Sequence, residues 1–146
     1  MRNKSTLFYK LGSYVLILFA VVHTAALFSD PAKLLTDEES KKVWQLIHTH
    51  QFHIEGMTFT IRSILLGFNL YLEIFTLGLG VLNLALAKHQ GDNQALLKTM
   101  AAVNLAVLSL VIVVTAIYFH LPPLILFGLA WLFFLASFVM AKKPDA

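Results

Sequence analysis

The strongest constraint in this chain is where charge is missing. Thr99 to Ala141 runs 43 residues without Asp, Glu, Lys or Arg, Leu11 to Ser29 runs 19, and Ser63 to Ala87 runs 25 interrupted only by Glu73. Crossing a hydrocarbon layer takes roughly 20 apolar residues. The longest run therefore holds two crossings, and Pro122-Pro123 divides it, because proline suits the first turn of a helix and disfavours helix just before it. Composition agrees: 58% of the 146 residues are hydrophobic, 13% are charged, and the mean hydropathy is +0.76. Soluble domains carry about a quarter charged residues.

Backbone groups cannot stay unpaired in lipid, and no run alternates with period two, so helices are the spanning form. The sequence predicts an all-α polytopic membrane protein. It is read as a single membrane domain over 1–146, an antiparallel four-helix bundle with spans near 8–28, 58–87, 94–120 and 122–141. The outer segment, 29–57, carries a short extramembrane amphipathic helix. The N-terminus, with Arg2, Lys4 and Lys10 before an apolar run, also resembles a signal peptide; the longer apolar stretch favours a retained span.

Lys and Arg in short loops set orientation. With both termini in the cytoplasm, Arg2, Lys4, Lys10, Lys88, Lys98, Lys142 and Lys143 lie inside. Lys33, Lys41 and Lys42 lie outside, with Arg62 at the border. A bacterial inner membrane is the expected location. The net charge of +3 bears on this topology and not on nucleic acid. The absence of cysteine excludes disulfides, thiolate nucleophiles, iron–sulfur clusters and cysteine zinc sites.

In the outer segment, Thr36 and Glu39 match a capping box, and Asp37 and Glu38 suit a first helical turn. Val43, Ile47, His50 and Ile54 then recur on one helical face. A helix is expected over 37–53, with Trp44 as an interfacial anchor.

Ionisable groups inside a span are costly and are functional candidates by default. In the second span Arg62, Asn69, Glu73, Thr76 and Asn83 fall on one stripe about 80° wide at 100° per residue. Such a stripe faces protein or water. Asn and Thr there can also simply bond neighbouring helices. Glu73 is either protonated or paired across the bundle, with Ser109 at similar depth as one hydrogen-bond source. Gly67, Gly78 and Gly80 suit close helix packing.

Five of six histidines (His23, His48, His50, His53 and His120) fall on one side of the membrane. His50 and His53 stand at i, i+3 on the expected helix, a spacing that can chelate a divalent metal. His48 points roughly 160° away from His50. His23 and His120 come from different spans and could serve as paired haem ligands. Opposed to each is the plainer reading of a solvated loop histidine or a satisfied core histidine.

His23-Thr24, Gly56, Arg62-Ser63 and Gly67-Phe68 together resemble a group of small, uncharacterised bacterial four-span membrane proteins. That group is similar in size and layout to the DoxX-like proteins. Leu65-Leu66 stand where it usually has an aromatic-acidic pair. The resemblance implies architecture and a role for His23 and Arg62, and no reaction.

The leading expectation is an outward-opening polar pocket built from His23, Arg62, Asn69, Glu73 and His120, with 37–53 as its lid. An anionic head group would meet Arg62, and apolar walls would accept a lipid or quinone tail. Membrane lipids are the expected partners, with haem or a metal as the sharper form of the idea. Two other classes remain open. One is an accessory subunit of a larger membrane complex or homo-oligomer; the other is a lipid enzyme using Glu73 or His23 as acid or base.

Overall fold

The computed structural model describes residues 4–29 and 35–141. Arg2, Lys33, Lys142 and Lys143 of the charge count lie outside them. The elements in chain order are α1 (Lys4–Leu27), α2 (Glu38–Thr49), β1 (Gln51–Ile54), β2 (Met57–Thr60), α3 (Ile61–His89), α4 (Gln94–Tyr118) and α5 (Leu121–Met140). Four of them, α1, α3, α4 and α5, are long and apolar enough to cross a membrane. The chain is an integral membrane protein by this criterion, and its spans sit within a few residues of the expected ones.

Local chemistry sets the boundaries. The Asn93 side chain caps α4 by accepting from the Leu96 amide at 3.0 Å. Pro122 falls in the first turn of α5, leaving Phe119 and His120 as the whole connection from α4. Thr60 and Ser63 hold the start of α3 reciprocally. The Ser63 amide donates to Thr60 Oγ1 at 3.1 Å, and the Thr60 amide donates to Ser63 Oγ at 2.9 Å. Two orphan amides are satisfied at once.

The outer segment departs from expectation. Asp37, and not Thr36, caps α2, accepting from the Ser40 amide at 2.7 Å. The helix then ends at Thr49, with His50 as its C-cap. Residues 51–60 form a β-hairpin with Phe52 opposite Phe59 and Ile54 opposite Met57. Glu55 and Gly56 turn it with φ of 50° and 79°. Positive φ at both central residues is the requirement of the tight turn whose twist matches paired strands. The Ile54 spacing that suggested continuing helix is instead one face of a strand.

The chain divides into two compact units, Met1–Val21 with Phe75–Ala146, and Val22–Ile74. The first, here the four-helix unit, holds the larger apolar core. Tyr9, Leu16, Phe19, Leu97, Leu108, Phe127 and Phe134 are its large buried members. Tyr9 meets Phe134 edge-on at 5.3 Å between ring centroids, and Phe19 lies 4.2 Å from Phe127. Helices approach closely at Gly12 and Gly80. A Cβ at Gly12 would stand 3.0 Å from the Phe134 ring, and one at Gly80 would stand 2.7 Å from Ile17 Cγ1. Among the described residues nothing lies within 4 Å of a Cβ placed on Gly67 or Gly78, so close packing is not what these two provide there.

The same unit carries a closed polar network. Tyr9 Oη donates to Asn83 Oδ1 at 2.6 Å, and Asn83 Nδ2 donates to Asn104 Oδ1 at 2.9 Å. Asn104 Nδ2 returns a bond to Asn83 Oδ1 at 3.2 Å and reaches the Met100 carbonyl at 2.8 Å. Ser5 Oγ donates to the Ser137 carbonyl at 2.9 Å. Side chains from α1, α3, α4 and α5 are thereby joined within the bundle.

Candidate functional site

The Val22–Ile74 unit, here the helix–hairpin unit, contains the C-terminal end of α1, α2, the hairpin and the first half of α3. Here polar side chains meet in pairs. His23 Nδ1 lies 2.5 Å from Glu73 Oε1, with side-chain exposures of 17% and 5%. The two side chains are hydrogen-bonded at that distance. Burial of a carboxyl is costly unless it is bonded, and His23 supplies the bond. Glu73 Oε2 is buried and has no hydrogen-bond partner among the described residues. Ser109 does not serve Glu73. Its hydroxyl donates to the Leu105 carbonyl and accepts from Trp131 Nε1, both in the four-helix unit.

The second pair is Arg62 with His48. His48 Nδ1 lies 2.7 Å from the Trp44 carbonyl one turn back, and a carbonyl only accepts, so Nδ1 carries the proton. Nε2 then presents its lone pair to Arg62, whose Nη1 donates to it at 3.2 Å. The Trp44 ring lies 4.2 Å from the imidazole and fixes it from the side. No carboxylate stands within ion-pair distance of Arg62 among the described residues. The guanidinium is half-buried, so it is oriented by a neutral acceptor while its charge is not compensated.

Beside this pair lies a cavity of about 120 Å³. Arg62, His48 and Asn69 are its polar lining, and Leu27, Trp44, Ile47, Leu65 and Leu66 are its apolar walls. Asn69 Nδ2 donates to the Leu65 carbonyl at 2.8 Å. The volume accommodates a head group, since whole drug-sized ligands need roughly 300 Å³ or more. A broader depression of about 450 Å³ runs along Leu35, Ser40, Val43 and Ile47, with Asp37 and Glu39 as its charged lining. Among the described residues it has no basic lining group. The Ser40 amide and hydroxyl hold the Asp37 carboxyl below its ordinary range, which keeps it ionised.

The residues expected from sequence divide as follows. His23 and Glu73 meet, and Arg62 and Asn69 share the cavity. His120 stands exposed before α5 in the four-helix unit and has no side-chain cap bond. His50 and His53 do not share the helix expected of them. His50 ends α2, and His53 lies in β1 opposite Thr58, so the helical i, i+3 relation does not exist. Among the described residues, no three His, Asp or Glu side chains gather as a metal site. His50 instead stacks edge-on against Phe52 at 4.8 Å.

Sequence reasoning passed over His48, because it was set against His50 and His53 as a metal ligand. The signal that finds it is Trp44 at i−4, one helical turn away and able to offer both ring and carbonyl. Of the polar stripe on α3, Glu73, Thr76 and Asn83 are buried and Arg62 and Asn69 half-buried, whereas Phe68, Tyr71, Ile74 and Phe75 are exposed. Comparisons with protein-family models, curated proteins and solved structures find no match to this chain.

Proposed function

We propose that this membrane protein binds the anionic head group of an amphiphile, a carboxylate or phosphate, at Arg62. The observation that carries the reading is the half-buried guanidinium with a neutral histidine as its protein partner and no carboxylate, beside a cavity with apolar walls. Arg presents five N–H donors in a planar fork that matches both head-group types. His48 engages one nitrogen, and the remaining donors are available for the ligand. Leu27, Leu65 and Leu66 supply the wall along which an acyl or polyprenyl chain would lie. Asn69 supplies a further polar contact two turns into the span.

In this reading the pocket opens to the outer face of a bacterial inner membrane, with both chain termini cytoplasmic. The excess of Lys and Arg on the cytoplasmic side supports that orientation. Because the chain lacks cysteine, single introduced thiols report it cleanly. A cysteine at Thr58 should react with an impermeant maleimide added to intact cells. One at Asp92 should react only after the membrane is opened.

Ligand binding is tested by native mass spectrometry of the purified protein, offered phosphatidylglycerol, phosphatidylcholine or inorganic phosphate in turn. Retention of phosphatidylglycerol alone assigns a lipid head group, and retention of phosphate alone assigns a soluble anion. Equal retention of phosphatidylcholine and phosphatidylglycerol contradicts charge recognition.

A further inference from the structure

The hairpin has one apolar face and one polar face. Phe52, Ile54, Met57 and Phe59 share the first through the pairings Phe52–Phe59 and Ile54–Met57. Gln51, His53, Thr58 and Thr60 share the second, since successive strand residues alternate sides. Phe52 and Phe59 are half-buried, whereas Ile54 and Met57, next to the turn, are 51% and 56% exposed. A two-stranded hairpin is marginally stable at best in water, and needs its apolar face covered.

We infer that the apolar face of this hairpin rests in the membrane, with Ile54 and Met57 inserted at the head-group–acyl boundary. Three observations carry this. First, β2 ends at Thr60 and α3 begins at Ile61, and the reciprocal Thr60–Ser63 bonds hold that joint without a linker. Four residues per strand extend only about 14 Å at 3.4 Å each, so the turn stays near the level at which α3 starts. Second, α3 is long and apolar enough to span, and Phe68, early in it, is a large exposed apolar side chain. The hairpin stands directly before that helix in the chain. Third, the face carries no charged residue; the Glu55 carboxylate sits on the turn itself. Apolar area removed from water is worth roughly 25 cal/mol per Å². Lipid supplies that cover without a second protein. The inference rests on the spans and is independent of the Arg62 pocket.

Spin labels test it in the cysteine-free chain. Ile54→Cys, Met57→Cys, His53→Cys and Thr58→Cys are labelled singly and reconstituted in phosphatidylcholine–phosphatidylglycerol vesicles. Collision of each label with dissolved oxygen, enriched in lipid, is compared with collision with a water-soluble nickel chelate. Labels at 54 and 57 should favour oxygen severalfold over those at 53 and 58, which should favour nickel. Strong nickel collision at all four positions overturns the proposal in favour of a water-exposed hairpin. Protection of 54 and 57 from both reagents overturns it in favour of a protein cover, and a second copy is then checked by cross-linking. Unchanged circular dichroism and elution volume establish that each labelled variant is folded. As a second arm, Met57→Asp should move the Ile54 label toward nickel, whereas Thr58→Asp should leave it unchanged.

Discussion

The two units of this protein handle buried polarity differently, although each leaves one buried side-chain oxygen without a partner among the described residues, Gln94 Oε1 in the four-helix unit and Glu73 Oε2 in the helix–hairpin unit. In the four-helix unit, Tyr9, Asn83 and Asn104 bond one another in a chain across three helices, and Ser5 reaches Ser137. In the helix–hairpin unit, polar groups meet in twos and leave something over. Glu73 keeps an unpartnered oxygen, and Arg62 keeps an uncompensated charge beside a cavity. A completed network specifies how helices pack, because every alternative packing strands a polar group. An incomplete one is the usual mark of a place where something else binds.

The largest expected effect lies in the incomplete unit. His23→Leu removes the bond to Glu73 and should cost about 3–5 kcal/mol, the range for one partner lost from a buried pair. Denaturant unfolding in detergent micelles measures it. The double variant His23→Leu/Glu73→Leu should recover most of the loss, since no lone carboxyl remains. If the double variant is as unstable as the single one, packing around His23 and not the pair is what matters.

Asn83→Leu comes next. It strands the Tyr9 hydroxyl and the Asn104 amide, at about 1–3 kcal/mol for a buried unsatisfied group. Adding Asn104→Leu should cost less than the sum of the two single changes, because the residues act as one network. The same unfolding assay in a double-mutant cycle reads that coupling. Gly80→Ala should then cost about 1–3 kcal/mol by overpacking against Ile17, judged by thermal stability in detergent. Gly67→Ala and Gly78→Ala should stay within about 0.5 kcal/mol, as changes in open positions do.

The smallest effect belongs to the exposed α2 cap. The Asp37 carboxyl is held below its ordinary range by the Ser40 bonds, so its contribution is complete above the unfolded value of about 3.9. That contribution fades as pH falls through the lower folded value. The protection factor of the Ser40 amide, its intrinsic exchange rate over the observed one at each pH, should therefore fall on acidification, and Asp37→Ala should remove that fall.

The spans were legible because absence of charge over such lengths has few other meanings, and Pro122-Pro123 marked the break in the longest run. The α3 stripe was legible from helical periodicity, and it separates buried Glu73 and Asn83 from exposed Phe68 and Phe75. The hairpin was hidden because His50 and Ile54 also fit a helical face, and Glu55-Gly56 is a weaker turn signal than Asn-Gly. Partner choice was not legible at all. That His23 meets Glu73, and that Asn83 meets Tyr9 and Asn104, depends on which helices are neighbours, and periodicity carries no such information. His48 was missed for a related reason: its role follows from its tautomer, which the Trp44 carbonyl sets through helix geometry.

The central claim is that Arg62 marks a ligand site whereas the Asn83 network serves to join its own helices. Native mass spectrometry of wild type, Arg62→Gln and Asn83→Leu, each purified in the same detergent with phosphatidylglycerol, tests it directly. The account predicts that wild type and Asn83→Leu retain the anionic lipid and that Arg62→Gln loses most of it. Equal retention by Arg62→Gln and wild type would contradict it.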